Sequence, residues 1–186
     1  MNKKGLALVL ALTLLVVGVV AGTLAWLTAK SDTVTNTFTT SDIKVELKET
    51  TGTEYKMIPG YTISKNPKAT VLAGSEECFL FVKLEKSQNF DTFLTYEMAE
   101  GWTLVPGETN VYYRKVQTAD IDTAYSVLKG DQVTVKGEVT KAMMDGLTTE
   151  TLPKLTVTAY ASQLHKNATT EFTAAEAWAN VNPTNP

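Results

Sequence analysis

Beyond residue 25 the apolar residues recur at every second position, and threonine fills many of the places between them. This pattern constrains the fold more than any other feature, because side chains alternate between the two faces of a strand, whereas a helix needs a period near 3.6. Ile43, Val45 and Leu47 alternate with Lys44, Glu46 and Lys48, which reads as a half-buried strand. From Thr33 to Thr39 one face is threonine throughout and the other carries Val34, Asn36 and Phe38. The sequence holds 30 threonines, whose branched Cβ is stiff at χ1 and suits a pleated surface better than a helix. Cys78 to Glu85 is more continuously apolar, as expected of a central strand covered on both faces.

Further strands are expected at Ala69 to Leu72, Trp102 to Val105, Val111 to Val116, Gln132 to Val139 and Lys154 to Ala161, with turns at Pro59-Gly60, Asn66-Pro67, Ala73-Gly74, Pro106-Gly107 and Lys129-Gly130-Asp131. About eight short strands with few helical windows predict an all-β fold, an antiparallel sandwich of jelly-roll or immunoglobulin-like type. One helix is expected near the end, where Thr173 and Glu176 form a capping box before Ala177, Trp178 and Val181 and Asn182-Pro183 stops the run. A second helical turn is expected around Thr140 to Gly146, and the tail at 183–186 is expected to fray.

The first 25 residues differ from the rest, so the mean hydropathy of −0.06 averages two unlike parts. Asn2-Lys3-Lys4 is a short basic start, Leu6 to Val20 is apolar, and Thr23 and Ala25 are the small residues that would precede a cut before Trp26. This predicts a signal peptide over 1–25 forming a helix before removal; an uncleaved anchor is the alternative, since the apolar stretch extends through Leu27 to a length that could span a bilayer. Cleavage leaves 161 residues with a net charge of −5, one domain. A chain of that size buries roughly 70% of its unfolded surface and needs no disulfide lattice or metal to hold a core.

The charge balance excludes one class and the residue counts weaken others. No basic cluster exceeds two residues, so the electrostatic footprint of a nucleic-acid binder is missing. One cysteine and one histidine cannot build a structural zinc site. His165 reads as a surface residue after the last strand, and Cys78, inside an apolar strand, as a small core residue. Asp120 and Asp122 flank Ile121, a spacing that a loose calcium site could use but that is very common. Trp102, Tyr112 and Tyr113 could form a carbohydrate platform, though aromatic residues on strands more often fill a core. Leu152-Pro153-Lys154-Leu155-Thr156 lacks the Thr-Gly pair and the apolar tail of a wall-sorting signal. No catalytic, cofactor-binding or metal-binding residue is assigned, and the chain is not expected to be an enzyme.

The segment Trp26 to Thr40 has only Lys30 and Asp32 as charges and contains no Gly or Pro. Such a strand can fold back as the first strand of its own sandwich or add to the sheet of another copy. Gly22-Thr23-Leu24-Ala25, followed by Trp26-Leu27-Thr28 and then Val34-Thr35-Asn36-Thr37-Phe38, resembles the junction of the TasA/camelysin group of Gram-positive secreted proteins. Asp42 to Leu47 and Ile58-Pro59-Gly60 fall where that group's next strand and turn belong, and Thr158 to Ala161 with Ala174 to Trp178 is similar to its closing strand and helix. The resemblance implies export, cleavage by an ER-type signal peptidase, a jelly-roll domain over 41–182, and a donor-type strand within 26–40 whose matching positions are Trp26 to Phe38, with Val34, Asn36 and Phe38 as the assembly-strand residues and Val34 and Phe38 pointing inward. It also implies an extracellular matrix or biofilm fibre subunit whose partners are copies of itself and related matrix proteins, with no cofactor, no nucleic acid, and the membrane only through the signal peptide. Metalloprotease chemistry, ascribed to some members, has no His-Glu-x-x-His motif here. The second reading, from a different class, is a non-polymerising surface module that binds carbohydrate or protein.

Overall fold

The computed structural model describes residues 42–52 and 54–182, together with Asn2 and Lys3. Residues 42–182 lie in one compact unit bounded at Thr40–Pro186. The signal-peptide, cleavage-site and donor-strand expectations, including Thr23, Ala25, Trp26, Val34, Asn36 and Phe38, and the tail at 183–186 lie outside the described residues.

Every strand pairing described is antiparallel, as the period-two pattern predicts. The chain runs through β1 (Val45–Lys48), β2 (Thr62–Ser64), β3 (Lys68–Val71), β4 (Cys78–Lys86), the short helix α1 (Phe90–Phe93), β5 (Leu94–Thr95), β6 (Thr103–Leu104) and β7 (Val111–Val116). It continues with β8 (Ala124–Ser126), β9 (Gln132–Val135), α2 (Lys141–Asp145), β10 (Leu155–Gln163), β11 (His165–Asn167), β12 (Thr170–Glu171) and α3 (Ala174–Val181). The strands form a four-stranded sheet in the order β10-β4-β7-β6, two three-stranded sheets, β1-β3-β8 and β2-β9-β5, and the hairpin β11-β12.

β4 is the central strand its composition predicts, and its two faces belong to different cores. Cys78, Leu80, Val82 and Leu84 pack with Ala69 and Val71 of β3 and Val133 and Val135 of β9. Phe79 and Phe81 point the other way, into a core completed by Val111, Ala174, Ala177 and Trp178. Each fully buried Phe contributes roughly 1.5 to 3 kcal/mol by transfer estimates. α3 is held over this second core by the predicted capping box, in which Glu176 N donates to Thr173 Oγ1 (3.3 Å) and Thr173 N donates to Glu176 Oε2 (2.9 Å). Trp178 lies 5.4 Å from Phe81 and 5.2 Å from Tyr160, ring centre to ring centre, and its Nε1 donates to Glu108 Oε1 at 2.9 Å.

The structure departs from the sequence reading at several elements. Twelve strands are described rather than about eight, because β2, β5, β8, β11 and β12 are only two or three residues long and carry no readable alternation. The strand expected at Gln132 to Val139 stops at Val135: Lys136 N still donates to Phe93 O (2.9 Å), and the chain then turns at Gly137 and Glu138, where Val139 N donates to Lys136 O (3.3 Å). His165 does not follow the last strand but sits in β11, exposed, with Nε2 3.5 Å from Glu77 Oε2. The turn at Lys129-Gly130-Asp131 is where the sequence predicts it, with positive φ at both Gly130 (65°) and Asp131 (53°), and Asp131 O accepts from Lys65 N at 2.8 Å.

Candidate functional site

A concavity of about 650 Å³ opens between the sheet β2-β9-β5 and the start of β10. Its floor is apolar. Ile63 comes from β2, Val133 from β9, Leu94 from β5, Phe90 from α1 and Leu155 from β10, with Met57 from the segment after β1. Alternation explains this assembly: on short strands only one side chain in two faces inward, so no single strand lines the groove and each contributes about one residue. Leu152, 44% exposed, and Pro153 form part of the rim.

One end of the groove is polar and well ordered by its own contacts. Lys65 Nζ donates to both carboxylate oxygens of Glu49 (3.0 and 2.9 Å), and both side chains are largely shielded, at 13% and 22% exposure. Tyr55 Oη donates to Glu49 Oε1 at 2.9 Å and also contacts the Gly52 carbonyl, while Lys65 Nζ lies 5.6 Å from the Tyr55 ring centre. Burial is the largest influence on the Tyr55 phenol and raises its pKa; the Thr51 hydroxyl acts against it and the Glu49 carboxylate with it. A neutral phenol, a paired lysine and a paired carboxylate offer hydrogen-bond directions rather than a free charge or a nucleophile. Asn66 Oδ1 pins the loop behind them by accepting from Thr50 N (3.0 Å) and Thr51 N (3.2 Å).

The residues weighed for chemistry from the sequence lie elsewhere. Cys78 is fully buried in the first core, and desolvation pushes its thiol up to about 11. Asp122 adopts φ 65° and its Oδ1 accepts from Ala73 N at 2.7 Å, a turn-closing role, while Asp120 ends a short 3-10 turn, Thr118–Asp120. Among the described residues no group of three or more His, Cys, Asp or Glu side chains is placed to hold a metal ion. Tyr112 and Tyr113 are consecutive on β7 and so face opposite cores, Tyr112 the first and Tyr113 the second. Trp102 sits beside Arg114, 5.1 Å from the guanidinium, and donates from Nε1 to Ser126 O at 2.9 Å, so the three aromatics form no common platform.

The groove was not legible in the sequence because its residues are scattered from Met57 to Leu155 and come together only when four strands and a helix turn are in register. Single apolar residues on short strands are the one local signal, and they look the same in a closed core. Comparison with protein-family models, with curated proteins and with solved structures yields no match to this chain.

Proposed function

We propose that this protein is a secreted, self-assembling structural protein, a subunit of an extracellular matrix fibre whose jelly-roll-like domain accepts a strand from a neighbouring copy. The observation that carries the reading is the apolar groove: Met57, Ile63, Phe90, Leu94, Val133 and Leu155 line an open channel that the described residues leave unfilled. A strand with one apolar face is a suitable occupant, since alternate side chains enter a groove while the other face stays wet. Thr33 to Thr39 has that character, with Val34 and Phe38 on one face and threonine on the other. The resemblance of residues 22–38 to the TasA/camelysin junction supports the same reading, as does the signal-peptide pattern of residues 2–25.

The test compares two substitutions in the same strand. Phe38→Asp should abolish polymers seen by negative-stain microscopy while the domain stays folded, because the donated strand belongs energetically to the next subunit. Thr37→Ser, on the wet face, should leave polymers intact. Unfolding of the isolated monomer by Phe38→Asp would instead make the strand part of its own core and defeat the proposal. Unchanged polymers would remove Phe38 from the interface.

A further inference from the structure

An ammonium has three N–H donors and a carboxylate about four acceptor positions, so a lysine paired with a glutamate can keep hydrogen-bonding capacity in reserve. Glu49 and Lys65, at the polar end of the groove, are such a pair. Glu49 Oε1 accepts from Lys65 Nζ (3.0 Å), Thr51 Oγ1 (3.1 Å) and Tyr55 Oη (2.9 Å). Glu49 Oε2 accepts only from Lys65 Nζ (2.9 Å) among the described residues, and Lys65, which lines the groove, spends two of its three N–H groups on this one carboxylate. One acceptor position and one donor are therefore left side by side, on side chains only 22% and 13% exposed. Capacity that is shielded from water and unused favours an occupant that can satisfy it.

A donor beside an acceptor selects one functional group. A carboxamide carries an oxygen that accepts and an NH2 that donates on one planar head, so it can take an N–H from Lys65 while giving one to Glu49 Oε2. A carboxylate in the same place would meet the charge of Glu49, and an ammonium would meet that of Lys65. An apolar side chain would leave both positions unmet.

We infer that Glu49 and Lys65 are a carboxamide-reading subsite of the groove, and that the side chain they take is Asn36 of another copy of this chain. The inference rests on the donor-strand reading of the groove and adds what sets the register. From Thr33 to Thr39, Asn36 is the only polar residue on the face that carries Val34 and Phe38. Those two suit the apolar lining, and Asn36 suits the polar end. A slip of two residues would bring Val34 or Phe38 against the charged pair and leave Asn36 among apolar side chains, so the pair penalises every other in-phase register. The chain's own Asn36 falls short of the site. Six residues separate it from Asp42, a reach of at most about 21 Å. The seven residues from Asp42 to Glu49 include β1 and cover roughly 23 Å when extended, and a chain returning along them must also spend residues on reversing direction.

Asn36→Asp keeps the size of the side chain and replaces its donor with a charge. In the full-length protein it should raise the critical concentration for polymers, measured by pelleting, at least about tenfold. Adding Glu49→Gln removes the like charge and leaves Lys65 facing a carboxylate, so the critical concentration should return to within about threefold of the unaltered chain. A synthetic peptide of residues 33–39, titrated onto the full-length protein by calorimetry, gives a second measurement. Its Asn36→Asp form should bind about tenfold more weakly to the unaltered protein and regain the loss on the Glu49→Gln protein. Equal binding of the two peptides, or a loss that Glu49→Gln does not relieve, overturns the subsite while the groove reading stands. If neither peptide binds and Phe38→Asp leaves polymers unchanged, the groove reading fails and the subsite with it. Should the Glu49→Gln protein fail to fold, the two peptides on the unaltered protein decide alone.

Discussion

Gly101 shows how a single position can be set by a neighbour distant in sequence. Its φ of +83° is a conformation that side chains with a Cβ rarely adopt, and a Cβ placed there would lie 2.0 Å from Arg114 Nη2. The guanidinium cannot move without cost, because it lies 3.7 Å above the centre of the Tyr125 ring. Burial lowers the Arg114 pKa, with Tyr125 and Asp120 opposing that shift. Gly101→Ala should therefore destabilise more than Gly107→Ala, whose φ is +90° but whose Cβ would meet nothing within 4 Å. The backbone part is about 1 to 2 kcal/mol at either site. The excess at Gly101 should be roughly 0.5 to 2 kcal/mol, the size of a cation–π contact, and should vanish in an Arg114→Gln background. Urea unfolding of the four variants measures this difference.

Among the elements, α3 combines a local signal with a tertiary role. Lys166, outside the capping box, and after it the Thr173 backbone and hydroxyl donors hold the Glu176 carboxylate well below the ordinary range, at about 2. A carboxylate whose folded pKa is depressed contributes stability that is fully present above its unfolded value near 4.5 and is lost as pH falls toward 2. Thermal midpoints should fall across that window, and Glu176→Gln should flatten the fall. Thr173→Ala should cost about 1 kcal/mol at neutral pH, as the loss of a helix cap does. Packing matters more than capping for this helix. Phe81→Ala and Trp178→Ala should each cost about 3 to 5 kcal/mol. Because the rings are 5.4 Å apart, centre to centre, the double variant should lose less than the sum, which denaturant unfolding of the cycle reads directly.

At the largest scale the described residues form two cores on either side of one sheet, with a groove left open between sheets at one end. In the proposed function the domain is the acceptor, and the apolar-faced segment of residues 26–40 from a neighbouring copy is the donor. That proposal needs a donor with a free end, which links assembly to processing. N-terminal sequencing of the secreted protein should begin at Trp26, after the small residues Thr23 and Ala25. A sequence that began at Met1 would contradict the cleaved form on which the proposed assembly depends.

The strand-rich class, the central place of Cys78 to Glu85, the strand at Val111–Val116 and the capped helix over Ala174–Val181 can all be read from the residues in order. Each of these is legible because its cause is local: period-two alternation, a continuous apolar run, or a hydroxyl and a carboxylate three residues apart. Which sheets the strands join, that Tyr112 and Tyr113 serve different cores, and that residues from Met57 to Leu155 meet in one groove are set by packing in three dimensions. So is the place of β10 at the end of its hydrogen-bonded ladder, which no pattern within Leu155–Gln163 could reveal, since a strand reads the same whether it pairs with one neighbour or two. Period and propensity act within a few residues, whereas pairing partners and cavities are set by packing among segments a hundred residues apart, where many arrangements satisfy the same local preferences.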